Sequence, residues 1–142
     1  MQTELLYHLN DSQENISSKL QQAIESSFAD NQVEVDEQFL SDITDLSSLN
    51  QDQILERIIE QTYIAFYGNN GQQVWNNYRR TGYPSIQSTA DPMFTPDYNP
   101  SASIPSRFMY PSNELEYNAT NTQAAMDRQN GGLLDVPLWV FN

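Results

Sequence analysis

The 142-residue chain contains no cysteine, which removes disulfides, thiolate metal sites and a cysteine nucleophile together. Its one histidine, His8, stands near the amino terminus, so a Ser/His/Asp arrangement or a multi-histidine metal site lacks material. No cofactor and no metal are expected. Basic residues are scarce: six Lys and Arg face 19 Asp and Glu, for a net charge of -13. Such a field repels phosphate backbones and anionic lipid surfaces, which argues against nucleic acid as a partner and favours neutral or cationic ones. Simple solubility accounts for most of this charge. Long apolar runs are missing too, since no stretch approaches the roughly 20 residues needed to span a bilayer. Met1-Gln2-Thr3-Glu4 has neither the basic nor the apolar region of a signal peptide, so any secretion signal is expected outside this chain or never to have existed.

The distribution of proline divides what remains. Residues 1–83 contain none, and all seven lie between Pro84 and Pro137. The length is that of one ordinary domain. It is read as a single unit with a helical part, 1–82, and a part of loops, short helix and tail, 83–142. In the first part Ile16, Leu20, Ala23, Ile24 and Phe28 recur at helical spacing, with Asp11 and Glu14 as the expected first-turn cap. A weaker pattern through Phe39, Leu40, Ile43 and Leu46 predicts a short helix after the alternating Val33-Glu34-Val35. Ile54, Leu55, Ile58, Ile59, Thr62, Ala65 and Phe66 form the strongest periodic segment, opened by Asn50 with Gln53 and closed by Gly68. Gln72 to Arg80 predicts a further helix ending at Gly82, with Gly68 to Gly71 as the corner before it.

Tyr83 to Pro111 holds six prolines and no sustained period, and is read as an extended loop lying over a surface. Beyond it, Asn113 with Glu116 is expected to open one helix that continues through Ala124, Ala125 and Met126 and ends at Gly131-Gly132. Leu133 to Phe141 is apolar and is expected to finish as a buried tail or edge strand.

One string is more specific than composition: Trp75-Asn76-Asn77-Tyr78-Arg79-Arg80-Thr81-Gly82-Tyr83-Pro84. Two adjacent guanidinium groups beside a helix stop can bind the carbonyls left open there or pair with a carboxylate. Glu114, in Tyr110-Pro111-Ser112-Asn113-Glu114, is the expected carboxylate. This string, followed by Ile104-Pro105-Ser106-Arg107-Phe108-Met109-Tyr110-Pro111 with Glu114 and Asn118 and ending in Leu138-Trp139, resembles the carboxy-terminal signature of SusD-like (SusD/RagB) proteins. The order of the elements matches as well, while Gln73 and Asn77 stand where acids are common in that family and the tail carries Trp139-Val140-Phe141.

The resemblance implies a mainly α, tetratricopeptide-like architecture with long irregular carboxy-terminal loops, of which this chain is the end and a partial domain. It implies an outer-membrane, cell-surface lipoprotein of Bacteroidetes-type bacteria, anchored through a lipid-bearing cysteine that this chain lacks. It further implies a non-catalytic protein that binds a nutrient, a glycan above all, and hands it to a SusC-like TonB-dependent transporter. Trp75, Arg79, Arg80, Gly82, Tyr83, Pro84, Arg107, Tyr110, Pro111, Glu114 and Asn118 then form a structural motif clamping the loops to the helices. A second reading makes the region, with its 85–105 loop, a docking surface for the transporter.

If a sugar is the ligand, aromatic faces stack on its rings while amides and carboxylates take its hydroxyls. Tyr98 and Phe94, on the proline-rich loop, are the candidate ligand-binding residues, whereas Trp75 sits at core spacing with Val74 and Tyr78. A glycoside hydrolase is the weakest reading. Acid pairs such as Glu114 with Glu116, or Asp91 with Asp97, suit that chemistry, but 19 acids produce such pairs by chance.

Overall fold

A computed structural model describes residues 12–86, 97–101 and 103–138. Six helices and no strand occur among them, so the architecture is mainly α as the periodicity implied. The chain forms two compact units, Met1–Ser85 and Ile86–Asn142.

Four helices build the first unit. In α1, Gln13–Asp30, the buried residues Ile16, Leu20 and Ile24 fall four apart and form one stripe. Ser12 caps its start, accepting from the Asn15 N–H at 3.4 Å. The expected Asp11 cap lies outside the described residues, and Glu14 does occupy the first turn. Helix α2, Glu37–Thr44, begins two residues before the predicted apolar pattern because the Asp36 carboxylate takes the Phe39 N–H at 2.8 Å. Leu46 lies beyond that helix yet is still buried.

Helix α3, Gln51–Ala65, opens on the reciprocal pair that its sequence announced. The Asn50 side chain accepts from Gln53 N–H, and the Gln53 side chain accepts from Asn50 N–H, both at 3.0 Å. Gly68, at φ 77, turns the chain toward α4, Gly71–Thr81, which Asn70 caps by accepting from Gln73 N–H.

Helix α1 packs against α2 and α3, and α3 against α4. Ile16, Leu20, Ile24, Leu40, Leu46, Ile54 and Ile58 form the shared core, with Phe28, Val35 and Ile43 against it. Each fully buried aliphatic side chain contributes about 1.5–3 kcal/mol. The sole cation of α3, Arg57, reaches across to the end of α2, where its Nη1 donates to the carbonyls of Asp42, Ile43 and Asp45 at 3.1–3.4 Å. These are carbonyls that a helix end leaves without intrahelical partners.

The second unit carries α5, Ser112–Tyr117, and α6, Ala119–Arg128. The single helix expected here is therefore two. Asn118, at φ -134 and ψ 32, breaks the run, and Thr122 bridges the break by donating its hydroxyl to the carbonyls of Glu114 and Asn118. Pro111 rather than Asn113 precedes the first turn of α5, with no side-chain cap. Gln129 caps α6, and positive φ at Asn130 and Gly131 completes the stop.

The tail departs from expectation. Residues 133–138 form turns and bends, and Leu133 is exposed, so the described part is neither a strand nor buried. Its polar backbone groups go to a neighbouring loop instead: Leu134 N–H donates to Tyr98 O at 2.9 Å, and Leu134 O accepts from Ser106 N–H at 2.7 Å. Residues 139–142, including Trp139, lie outside the described residues.

Candidate functional site

The string that carried the resemblance falls at the end of α4. Trp75 and Arg79 are four residues apart on one helix face, which brings the Arg79 guanidinium to 4.3 Å from the indole centroid. Arg79 and Arg80 occupy the last turn, where positive charge opposes the negative end of the helix dipole. Arg80 is exposed and Arg79 is half-buried. Gly82 adopts the left-handed conformation at φ 76, and its N–H donates to Tyr78 O at 2.7 Å. A side chain there would be strained although no atom crowds the position.

Thr81 fastens the exit from α4. Its hydroxyl donates to Asn77 O at 2.8 Å and accepts from Tyr83 N–H at 3.1 Å, and a cis Tyr83–Pro84 bond follows. Asn77 is the one buried residue of α4, and its amide oxygen receives Gln73 Nε2 at 3.5 Å. The two positions that lack an acid thus share one face and are joined by a single long hydrogen bond between neutral amides. Burying an amide with a partner avoids the cost of burying an unpaired carboxylate.

In the second unit the site centres on Arg107, which is 5% exposed. Its Nε donates to Phe108 O at 3.2 Å, and its Nη1 to Gln129 Oε1 and Gly131 O at 3.2 and 3.3 Å. The same guanidinium lies 5.1 Å from the Tyr110 ring centroid. Gln129 closes the triangle by donating Nε2 to Tyr110 Oη at 3.1 Å. One planar cation thereby joins the 106–110 loop to the carboxy-terminal end of α6.

Glu114 sits on exposed α5, where its carboxylate accepts from Asn118 Nδ2 at 3.1 Å. Asn118 in turn accepts from Asn121 Nδ2 at 2.7 Å, so this motif residue organises the joint between α5 and α6. Gln129 and Thr122 were not singled out by sequence. Gln129 carries no signal beyond its place at a helix end, and Thr122 looks like any polar helix residue until α5 folds beside it.

Of the two ligand-binding candidates, Tyr98 is 49% exposed and Phe94 lies outside the described residues, as does Asp91. Among the described residues no three Asp, Glu or His side chains gather to hold a metal ion. Glu114 and Glu116 are both exposed, two residues apart on α5 and therefore on different sides of it. No helix of the described residues is long and apolar enough to cross a membrane. The Asp45 carboxyl is held below its ordinary 3.8 because Ser47 donates its hydroxyl and N–H to it, with Arg57 adding attraction.

A family model described as "SusD-like: Susd and RagB outer membrane lipoprotein" matches residues 9–136. The chain belongs to the SusD-like family. No curated protein and no solved structure gives a significant match. The SusD-like match spans both units, from the start of α1 to the turn after α6. It therefore covers the Trp75 to Pro84 string and the Arg107 centre alike.

Proposed function

We propose that this chain is the ligand-capture region of an outer-membrane nutrient-binding accessory protein, non-catalytic, that delivers a glycan to a SusC-like TonB-dependent transporter. The observation that carries this reading is the SusD-like match over residues 9–136. The buried motif chemistry agrees with it. The hydrogen bonds of Arg107 go to carbonyls and an amide of its own unit, which is the behaviour of a fastener rather than of a reacting group. In the same proposal the protein is held at the cell surface by a lipid anchor, and α3 and α4, joined by the Gly68 to Gly71 corner, form a tetratricopeptide-like pair. Tyr98 offers an exposed aromatic face to a sugar ring, and Phe94 is the other candidate ligand-binding residue.

Retention on glycan affinity gels tests it. Wild-type chain should be retarded on the cognate polysaccharide, Tyr98→Ala should migrate freely, and Arg80→Ala should lose stability while folded material still binds. Migration unchanged across a broad glycan panel would reject the glycan reading, and release of reducing sugar would reject the non-catalytic one.

A second reading has its own support. A shallow apolar groove runs between α1 and α3, lined by Leu20, Ile24, Phe28, Ile58 and the 62% exposed Ile64. A surface of this kind suits docking on the transporter, with ligand contacts made elsewhere. A pull-down with the transporter, in which Ile64→Asp abolishes retention without altering glycan retardation, would favour docking.

A further inference from the structure

We propose that Asn70 is a site of spontaneous covalent modification, where the amide is lost and the corner between α3 and α4 comes to hold aspartate and iso-aspartate. The sequence has two Asn-Gly pairs, Asn70-Gly71 and Asn130-Gly131. In such a pair the glycine has no side chain to shield its backbone nitrogen, which can close on the amide carbon of the asparagine to form a succinimide ring. The letters alone do not choose between the two pairs. Their surroundings do.

The attacking species is the glycine nitrogen after it has lost its proton, so a hydrogen bond that holds the proton suppresses the reaction. Gly131 N–H donates to Met126 O at 2.9 Å within the stop of α6, and Gly131 O accepts from the buried Arg107. Gly71 is the first residue of α4, a position whose amide has no intrahelical acceptor, and it makes no other hydrogen bond among the described residues. Asn70 and Gly71 are both exposed, and no atom lies within 4 Å of where a Gly71 side chain would begin, so solvent base reaches the amide. Asn70 Oδ1 accepts from Gln73 N–H at 3.3 Å. That donor faces the oxygen on which negative charge gathers as the ring closes, and so favours closure.

The atoms balance with water as the only co-reactant. Solvent base takes the Gly71 amide proton, the nitrogen bonds to Asn70 Cγ, and the Cγ–Nδ2 bond breaks, so that ammonia leaves with a proton from solvent. Water then opens the ring at either carbonyl, and no electrons change hands. One opening gives aspartate, which caps a helix as well as asparagine does and carries a charge suited to its N-terminus. The other gives iso-aspartate, whose main chain runs through the former side chain and is longer by one carbon, so the bond to Gln73 N–H is lost. Because α4 carries Trp75 and Arg79, the reaction is a slow clock on the seating of the signature segment, independent of which nutrient the protein captures.

Ageing the full chain at mildly alkaline pH, followed by trypsin digestion and mass spectrometry, tests the site. Cleavage after arginine puts the two pairs in separate peptides, 58–79 and 129–142. Fragment ions should place the conversion at Asn70, accumulating roughly tenfold faster than at Asn130, the factor set by one backbone hydrogen bond that must open first. In urea the two should convert at similar rates, because only the fold separates them. Gly71→Ala puts a methyl into open space at a helical position, and should suppress conversion at Asn70 while leaving Asn130 unchanged. Absence of conversion at Asn70, a folded-chain rate at Asn130 equal to or above it, or a Gly71→Ala chain that ages like wild type overturns the proposal.

Discussion

The two units keep opposite things dry. In the first, the buried set is dominated by seven clustered aliphatic residues from α1, α2, α3 and the turn after α2. In the second, the buried residues among those described are Asn99, Arg107 and Thr122, all polar, while Phe108 and Tyr117 stand 69% and 87% exposed. The first unit is held by an apolar interior that tolerates imprecise partners; the second is held by directional bonds that must each find one. Helices suit the first arrangement because a stripe every fourth residue meets another stripe. A loop rich in proline has no such period, and a guanidinium with five donors in one plane collects its scattered carbonyls instead.

The largest expected effect comes from breaking the apolar side. Ile58→Ala should cost about 2–5 kcal/mol, read as a lower urea midpoint for the first unit, because α1 cannot collapse fully into the space left. A cost below 1 kcal/mol would mean that the aliphatic cluster is not what holds the helices together. Arg107→Ala should cost about 2–3 kcal/mol by orphaning the carbonyls of Phe108 and Gly131 and the amide of Gln129. Arg107→Lys should recover little of it, since an ammonium cannot reproduce the planar fork. Amide hydrogen exchange should show the loss in residues 112–136 and leave α1 to α3 protected. Protection lost equally in both units would erase the contrast between them.

Much of the first unit was legible because its physics is periodic. Ile16, Leu20, Ile24, Ile54 and Ile58 are core in the fold as in the sequence pattern, and the Asn50 and Gln53 box opened α3 where it was expected. The second unit was less legible for the same reason that it is held differently. Nothing in the letters around Asn118 separates two short helices from one long one, because the bond that decides it, from Thr122 to Glu114 O, needs α5 already folded back. The apolar letters of Leu133 to Phe141 suggested burial or an edge strand, but the described residues 133–138 form turns and bends whose backbone bonds go to Tyr98 and Ser106. Arg107 was reached through resemblance, and its partner Gln129 could be seen only in three dimensions.

Smaller effects sharpen the comparison. Thr122→Val keeps the shape and removes the hydroxyl, and should cost about 1 kcal/mol, visible as fraying of α5 in hydrogen exchange. Asn50→Ala should cost about 0.5–2 kcal/mol through the lost cap of α3, and Gln53→Ala less. The pH dependence at Asp45 should be the smallest. Its folded acidity constant lies below the unfolded 3.8, so its contribution is complete above that value and fades as pH falls through the folded one. Ser47→Ala should move that titration back toward 3.8 in NMR, with little change at neutral pH.

The guanidinium resting on Trp75 has a use beyond stability. The chain has two tryptophans, and substituting Trp139 with phenylalanine leaves one indole, sitting under a cation at the closing turn of α4. Emission from that ring is a native optical gauge of whether the signature segment is seated. Capture of a nutrient or docking on a transporter that disturbs the turn would then announce itself in fluorescence without any dye attached.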